Sequence, residues 1–326
     1  MKKGVSLVIP IYNEEKNIPL LYLDVKPVME SLGLEYELIM VDDGSKDASW
    51  QELLKISASD KKVKLLRHGR NMGLTQGYQD GFDHCSFEYV LIMASDLEND
   101  AKEILRVIQK LEEGYDVVNT NRVSRWQNKK STSILRTFPS KVANALIANI
   151  TGVKLKDNGS GLKGFKRFVV DNLKMYGEMH RYFVSYCSVF TKKITEIDVI
   201  YKERIYGKSD YGSITRTFKV FLDLFSLKFL VSLSTKPYHL MPGRLFGSVG
   251  IGMSFLGSVL TFYLLIDKFF FGNPIGSRPL LIFSFLFVVL GVQLIMTGFL
   301  GELLMRIYFE SGGRKIYTVS DRINFD

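Results

Sequence analysis

Two long uncharged apolar runs in the carboxyl-terminal third constrain this chain more than any other feature. Neither Leu245 to Ile266 nor Pro279 to Gly301 contains a charged residue. Each run exceeds the roughly 18 to 20 residues that a helix needs to cross a bilayer core of about 30 Å. Buried helices of a soluble core are the alternative, but soluble helices of this length usually keep a polar face. The sequence therefore predicts two membrane spans joined by a short loop.

The distribution of cations predicts how this hairpin is oriented. Lysine and arginine are dense before Arg244 and recur after the second run, whereas the connecting loop holds only Lys268 and Arg278. The positive-inside rule then places both termini in the cytoplasm. Cys85 and Cys187 lie far apart and give neither a disulfide framework nor a metal-site spacing. We expect a multi-pass protein of the cytoplasmic (inner) membrane with its amino-terminal part in the cytosol.

The segment before the first span is both aromatic and basic. Ile214 to Ser234 mixes phenylalanines with Arg216, Lys219 and Lys228, a pattern typical of amphipathic helices that lie in the membrane interface. A surface helix packed on the preceding domain is the alternative. The net charge of +9 fits a partner rich in phosphate, and nucleic acid is disfavoured because the cations cluster beside the membrane segments.

The first two thirds of the chain alternate short β-rich runs with helical patterns, which is typical of a mostly parallel sheet covered by helices on both faces. The predicted strands are Val5–Ile11, Glu37–Val41, Val63–Leu66, Tyr89–Ala94 and Val117–Thr120. The predicted helices are Ile18–Leu32, Ala48–Ser57, Thr75–Cys85 and Lys102–Glu113. In such sheets ligands bind beyond the carboxyl ends of the strands.

Polar residues follow the first two strands at that edge. After the first strand, Tyr12 suits stacking against a base, and Glu14 suits hydrogen bonds from a base or ribose. After the second strand, Asp42 and Asp43 offer acceptors for a nucleobase imide and ribose hydroxyls. Taken singly, each segment is equally typical of an ordinary turn or helix start.

Two further carboxylates follow the fourth predicted strand. If the chain stays extended there, Asp96 and Glu98 point the same way, as a divalent cation bridging a diphosphate would require. Oxygen ligands of this kind suit Mg²⁺ or Mn²⁺. Three acidic strand ends in this order predict a nucleotide-binding edge with a metal site.

Five segments carry a resemblance to a known family. They are Val8–Asn17, Val41–Ser45, Asn71–Gly73, Lys156–Phe165 and Arg204–Tyr211. With them the chain resembles the family-2, GT-A-type glycosyltransferases, and most closely their polyprenyl-phosphate branch, which includes dolichyl-phosphate mannose synthases and two-span bacterial undecaprenyl-phosphate sugar transferases. The resemblance implies an α/β fold with a Rossmann-like, mostly parallel sheet, followed by juxtamembrane amphipathic helices and a transmembrane hairpin.

The domain boundaries follow from that resemblance and from the apolar runs. We expect a GT-A catalytic domain over 1–211, juxtamembrane helices over 212–242, the hairpin over 243–310 and a cytoplasmic tail over 311–326. Resemblance to the two-span members also suggests a homo-oligomer.

The resemblance further implies an inverting transfer of a sugar from a nucleotide sugar, UDP-linked in preference to GDP-linked, to polyprenyl phosphate. The implied nucleotide-sugar contacts are Pro10, Tyr12, Asn13, Glu14, Val41, Asp42, Asp43, Asn71, Gly73, Ser95, Asp96, Arg204 and Lys208. The implied acceptor-phosphate contacts are Arg122, Arg136, Ser140 and Lys163, and the implied catalytic residues are Asp96, Asp157 and Arg122. Asp96 and Glu98 are the implied ligands of Mg²⁺ or Mn²⁺.

One departure from the family pattern leaves alternatives open. Where the family usually carries Asp-x-Asp-x-Gln, this chain has Ala94-Ser95-Asp96-Leu97-Glu98, so the first carboxylate is missing and a new one occupies the glutamine position. Metal binding is expected to persist through Asp96 and Glu98. The alternatives are a catalytically impaired membrane anchor that binds nucleotide sugars or recruits partners, and a transferase for another lipid such as diacylglycerol.

Overall fold

The computed structural model describes residues 2–123, 147–148, 151–175, 177, 179–200, 202, 242–310 and 319–323. The chain divides into two compact units. The first comprises residues 1–231 together with 316–326, and the second comprises residues 232–315.

The first unit is built on one sheet of eight strands in the order β7-β5-β6-β4-β1-β2-β3-β8. The strands are β1 (Lys2–Ile11), β2 (Tyr36–Asp42), β3 (Val63–His68), β4 (Phe87–Ile92), β5 (Val117–Arg122), β6 (Lys163–Lys166), β7 (Ile194–Val199) and β8 (Val319–Ile323). Strand β6 runs antiparallel to β4 and β5, and β8 runs antiparallel to β3, whereas the other pairs are parallel. The prediction of a mostly parallel sheet is confirmed.

Helices cover both faces of the sheet, which explains why its central strands are apolar without interruption. On β1, Leu7 and Ile9 face one core with Ile18 of the first helix, while Val8 faces a second core with Phe82 of the third. All of these side chains are buried. Strands buried on both faces lose the alternating pattern of a half-exposed strand.

The described helices of this unit are α1 (Asn17–Ser31), α2 (Ser49–Ser59), α3 (Leu74–Asp83), α4 (Glu103–Glu112), α5 (Arg167–Asn172) and α6 (Phe183–Tyr186). Helix α4 shows why these segments are helical: Ile104, Val107, Ile108 and Leu111 are buried at a spacing of three and four residues. The four helices that were predicted from the sequence are all present, with ends displaced by at most two residues.

Three strands were not predicted. Strand β6 has only four residues, and β7 keeps a largely half-buried pattern. Strand β8 lies in the segment for which only a cytoplasmic tail was expected, and it pairs with the outer edge of β3. Strand β4 ends at Ile92, two residues before the predicted end at Ala94.

The second unit contains two long apolar helices, α7 (Pro242–Phe271) and α8 (Pro279–Glu310). Their apolar stretches have mean hydropathies of 2.0 and 2.5, long and apolar enough to cross a membrane. Most of their large side chains are exposed, as expected of helices solvated by lipid and not by a protein core. The predicted transmembrane hairpin agrees with this architecture.

The two helices of the hairpin contact each other through small residues. A Cβ added to Gly250 would lie 2.5 Å from the Gly291 carbonyl oxygen, and one added to Gly257 would lie 2.6 Å from the Ser284 carbonyl oxygen. Both contact positions recur after seven residues along each helix, the repeat of nearly aligned helices. Close backbone approach through small residues is the usual way that membrane helices associate.

Candidate active site

The predicted ligand-binding edge is where the parallel strands β1 to β5 end. Two loops that follow β1 and β2 are bound to each other there. The Asn13 N–H donates to Ser45 Oγ at 3.0 Å, and Asn13 Oδ1 accepts from the Lys46 N–H at 2.9 Å. Asn13 has a φ of 56°, a left-handed conformation that asparagine tolerates better than most residues. Its side chain therefore shapes the loop.

Asp42 ends strand β2 and is fully buried. Its Oδ2 lies 3.2 Å from Arg67 Nε, and its Oδ1 accepts from the Ser45 N–H at 3.3 Å. The Arg67 guanidinium lies 5.0 Å from the centre of the Trp50 ring, a distance typical of a cation–π contact. Asp42 is thus held by the Arg67 guanidinium, which in turn lies against the Trp50 ring.

Asp43 organises the loop between β3 and α3. Its Oδ1 accepts from the Met72 N–H at 2.7 Å, and its Oδ2 accepts from the Gly73 N–H at 2.8 Å. The following residue, Gly44, has a φ of 69°, and a Cβ there would lie 2.5 Å from the Arg70 carbonyl carbon. Two segments predicted to contact the nucleotide sugar, one around Asp43 and one around Gly73, are therefore hydrogen-bonded to each other.

The remaining residues predicted to contact the nucleotide sugar at this end differ in how exposed their side chains are. Pro10 and Val41 are buried register partners in the sheet, so only their backbone atoms could meet a ligand. Tyr12 is 40% exposed, and Asn71 is also exposed. Glu14 Oε2 accepts from Asn17 Nδ2 at 2.5 Å.

Asp96 lies in a turn, not in a strand. Because β4 ends at Ile92, the extended geometry that would make Asp96 and Glu98 point the same way is absent, and this premise was wrong. Instead Leu97 has a φ of 60°, and the Glu98 N–H donates to Asp96 Oδ1 at 3.2 Å. Neighbouring Ser95 is buried. A leucine in the left-handed region is strained, so the turn is held by its surroundings.

Arg122, Asp157 and Glu98 form a charge cluster at this edge. Arg122 ends β5, and its Nε and Nη2 donate to the two oxygens of Asp157 at 2.6 and 3.0 Å. Its Nη2 also donates to the Gly159 carbonyl oxygen at 2.6 Å, and its Nη1 lies 3.7 Å from Glu98 Oε2. The Arg122 side chain is 5% exposed. Little of its surface is therefore open to a lipid phosphate in this arrangement.

Glu196 of β7 fixes the backbone of the loop that carries Asp157. Its Oε1 accepts from the Asp157 N–H at 3.2 Å and from Asn119 Nδ2 at 2.8 Å. Its Oε2 accepts from the Lys156 N–H at 3.0 Å. Asn119 Nδ2 also donates to the Asp157 carbonyl oxygen at 2.8 Å. Asp157 is consequently held at both its side chain and its main chain.

Lys163 lies inside the protein, contrary to a role on the incoming phosphate. Its ammonium donates to the carbonyl oxygens of Asn158 and Ser160 at 3.1 and 2.7 Å and lies 5.1 Å from the centre of the Phe183 ring. Burial lowers the pKa of this ammonium to about 7. These contacts point to a support for the 157–161 loop in place of the predicted phosphate contact.

The loop also meets the position at which the sequence departs from the family pattern. The Ala94 N–H donates to the Gly161 carbonyl oxygen at 3.0 Å, and a Cβ on Gly161 would lie 2.7 Å from the Ala94 Cβ. Ala94 and Gly161 therefore touch, and the small side chain at 94 faces the loop.

The carboxylate ligands at this edge fit a hard divalent cation whose coordination shell is completed by the substrate. Within the described ranges, no group of three or more His, Cys, Asp or Glu residues could hold a metal alone. Mg²⁺ is commonly bound by one or two carboxylates, with substrate phosphates and water completing its shell. Asp96 and Glu98 supply such a partial set. The predicted contacts Arg136, Ser140, Arg204 and Lys208 lie outside the described residues.

Comparison with known proteins decides the family. The sequence profile of Glycosyl transferase family 2 matches residues 6–174, which run from within β1 past β6 and include Asp42, Asp43, Asp96, Glu98 and Asp157. The chain belongs to this family. It is a glycosyltransferase.

Two relatives of this glycosyltransferase match over almost its whole length. Dodecaprenyl-phosphate galacturonate synthase from Rhizobium johnstonii is 37% identical, and the match covers 97% of this chain and 91% of the relative. Undecaprenyl-phosphate 4-deoxy-4-formamido-L-arabinose transferase from Shewanella sediminis is 34% identical, with 97% and 92% covered.

Solved structures share the fold of this glycosyltransferase. Glucosyl-3-phosphoglycerate synthase from Mycobacterium tuberculosis, in complex with phosphoglyceric acid, superposes with a TM-score of 0.54 at 16% identity, covering 69% of this chain and 80% of that one. The same enzyme was solved with Mn²⁺, UDP-glucose and phosphoglyceric acid, and that structure gives a TM-score of 0.53, also at 16% identity and with the same coverage.

Sequence reasoning missed three residues that organise the edge of this glycosyltransferase: Glu196, His68 and Asp80. Glu196 lies in a strand that was not predicted, His68 lies two residues beyond the predicted end of its strand at Leu66, and Asp80 lies inside the predicted helix Thr75–Cys85. Asp80 gave no usable signal in the sequence, because Gln76, Asp83 and His84, one turn away on the same helix face, are also polar.

Proposed function

We propose that this glycosyltransferase transfers a sugar from a nucleoside-diphosphate sugar to a polyprenyl phosphate at the cytoplasmic face of the inner membrane. The observation that carries the proposal is the 37% identity, over 97% of the chain, to an enzyme named for making a dodecaprenyl-phosphate sugar. That match includes the two apolar helices, so the similarity extends to the part that would reach the lipid.

The donor would bind across the ends of β1, β2 and β4. Tyr12 is exposed where a base could stack. Asp42 is fully buried, with its two oxygens on Arg67 and on the Ser45 N–H, so a base would contact it only after this loop moves. The loop from Asn71 to Gly73, which Asp43 holds, would lie against the sugar or its diphosphate. UDP is the proposed nucleotide, because the fold relative was solved with UDP-glucose.

Asp96 would hold the divalent cation, with Glu98 as a second ligand that Arg122 partly neutralises at 3.7 Å. Such a cation, when bound, offsets the charge that develops on the departing diphosphate. The turn at Leu97 keeps both carboxylates within one short loop. An enzyme of the same fold, glucosyl-3-phosphoglycerate synthase, was solved with Mn²⁺.

The acceptor needs little activation. The oxygen of a lipid phosphate is already anionic near neutral pH, so attack on the anomeric carbon, with departure of the nucleoside diphosphate and inversion, requires no strong base. Asp157 is well suited to orient Arg122 and less suited to accept a proton, since both its oxygens accept from the guanidinium. Arg122 would then position Glu98 and the 157–161 loop beside the reacting groups.

The direct experiment is incubation of the detergent-solubilised protein with undecaprenyl phosphate, Mg²⁺ or Mn²⁺, and a panel of UDP- and GDP-sugars. The expected product is a sugar-phospholipid that forms only with an isoprenoid phosphate, and diacylglycerol serves as the competing acceptor. Turnover with diacylglycerol alone, or no product with any donor, would refute the proposal.

A further inference from the structure

A buried row of three ionisable side chains joins the end of β2 to the middle of α3. His68 Nδ1 lies 2.7 Å from Asp43 Oδ1, and His68 Nε2 lies 3.7 Å from Asp80 Oδ2. His68 is 1% exposed, and Asp80 is fully buried. At 3.7 Å the second contact is an ion pair and not a hydrogen bond. An imidazole between two carboxylates is favoured in its charged form.

Other charged groups lie near this row. Directly after α3, His84 Nδ1 donates to the Asp80 carbonyl oxygen at 2.8 Å and lies 3.7 Å from Asp80 Oδ1. On β3, the side chain of Arg67 turns to Asp42. On β8, Val319 is the register partner of His68, and Asp321 is that of Arg67. Burial lowers the pKa of His68, but Asp43 and Asp80 outweigh it and raise the pKa to about 9.

This row of side chains connects the loop before α3 to the middle of α3. Asp43 holds the N–H groups of Met72 and Gly73, directly before α3 begins at Leu74. Asp80 lies farther along α3. A cation at His68 therefore attracts both the carboxylate that carries the loop and the helix that follows it. Asp43 Oδ1 is shared between His68 and Met72, so the position of one partner affects the other.

We propose that His68 is a positioning residue for donor binding, which holds Asp43 and, through it, the Asn71–Gly73 loop in the geometry that receives the nucleotide sugar. The inference rests on the proposed function, because that function is what places a nucleotide sugar against the Asn71–Gly73 loop. His68 does not touch the reacting atoms in this assignment. Its effect should therefore appear in the KM for the donor before it appears in kcat.

Two variants and one control test the assignment. His68→Gln removes the cation, and the loss of a charge-assisted hydrogen bond should raise the donor KM by about tenfold or more, with a smaller change in kcat. Asp80→Asn keeps the shape of the side chain but removes one of the two carboxylates that favour imidazolium. His84→Gln is the matched control, because it removes the other imidazole beside Asp80, and it should leave the donor KM unchanged.

The pH dependence separates positioning from a merely structural role. With wild type, the donor KM should stay low up to about pH 9 and rise above it as His68 loses its proton. With Asp80→Asn, the rise should begin at least about one pH unit lower, while the thermal midpoint at pH 6 stays close to that of wild type. The assignment would be overturned if the donor KM were equally independent of pH in wild type and in Asp80→Asn. It would also be overturned if His84→Gln changed the donor KM as much as Asp80→Asn does.

Titration calorimetry with UDP provides a second measurement that needs no turnover. If sugar transfer fails but UDP binds, the same variants should weaken UDP binding with the same pH dependence, so failure of the proposed reaction is distinguishable from failure of the His68 assignment. Undiminished UDP affinity in His68→Gln, or no nucleotide binding by wild type, would overturn the assignment.

Discussion

The guanidinium of Arg122 and the carboxylate of Asp157 meet in a two-pronged salt bridge, with distances of 2.6 Å from Nε to Oδ2 and 3.0 Å from Nη2 to Oδ1. The arginine is 5% exposed and the aspartate 19% exposed. Charge-assisted pairs of this geometry are directional and strong. The pair ties the end of β5 to the 157–161 loop, and Arg122 also approaches Glu98 in the turn that carries Asp96.

A double-mutant cycle on this pair should show strong coupling. Arg122→Met leaves a partly buried carboxylate without its cation and should cost about 3 kcal/mol of unfolding free energy, whereas adding Asp157→Asn should cost little more. Denaturant titration of the three variants measures the coupling. The exposed pair Lys110–Glu113 is the control, with an expected coupling of about 0.5 kcal/mol or less. Additive costs at Arg122 and Asp157 would contradict this reading.

Asp96→Asn should abolish most of the transfer activity while the protein stays folded. If Asp96 is the principal metal ligand, its loss should lower kcat by about a hundredfold or more. Initial rates over a range of Mn²⁺ concentrations measure the effect, and Asp171→Asn is the control, since Asp171 pairs with Arg167 on α5. Full activity in Asp96→Asn would exclude this residue as a metal ligand.

The stability of the protein should depend on Lys163 with a defined sign. Burial lowers the pKa of Lys163 from 10.5 in the unfolded chain to about 7 in the folded protein. The unfolded state therefore binds more protons between these values, and the contribution of Lys163 to stability rises with pH from about 7 to 10.5 and is least favourable below 7.

Lys163→Met removes this dependence. The thermal midpoint of the variant minus that of wild type should be most positive near pH 6 and should fall by about 2 °C or more by pH 9.5. The opposite contribution of His68, whose raised pKa favours the folded state below 6.5 and loses that effect up to about 9, is present in both proteins and cancels in the difference. A difference that is independent of pH would contradict the buried-ammonium reading.

Gly291→Leu should destabilise the transmembrane hairpin. A Cβ at this position would lie 2.2 Å from Ser254 Oγ and 2.5 Å from the Gly250 carbonyl oxygen, so the helices would have to separate. Gly252→Leu is the matched control, because nothing lies within 4 Å of a Cβ there. Thermal aggregation in detergent, followed by size-exclusion chromatography, should show a lower midpoint for Gly291→Leu only. Equal midpoints would indicate that the helices do not pack at this point.

The order of strands and helices could be predicted because hydrophobic periodicity and turn residues are local signals. Strands β1 to β5 and helices α1 to α4 were all recognised in this way. Strands β6 and β8 were missed because their sequences, KGFK and VSDRI, lack a continuous apolar run, and their pairing with neighbours far away in sequence leaves no local signal.

The candidate site was predictable in part. The strand-end rule pointed to Asp43, Asp96 and Glu98, whereas Gly73 and Asp157 were implied by the family resemblance; the structure joins Asp43 to Gly73 and Arg122 to Asp157. What it could not supply was which of these groups are already paired. Arg122 and Lys163 look identical to phosphate ligands in a sequence, since pairing with Asp157 and burial against Asn158 are decided by tertiary contacts.

The edge strand β8 has a consequence for how the enzyme could be detached from a bilayer. The chain leaves the first unit near residue 231, passes through the hairpin and comes back at residue 316 to pair Val319–Ile323 with β3. A protease that cut once before α7 would sever the polypeptide. The amino-terminal part of the first unit would nevertheless stay attached to the hairpin, because β8 would still be paired with β3. Shedding therefore requires two cleavages, or one cleavage together with peeling of β8 from the sheet.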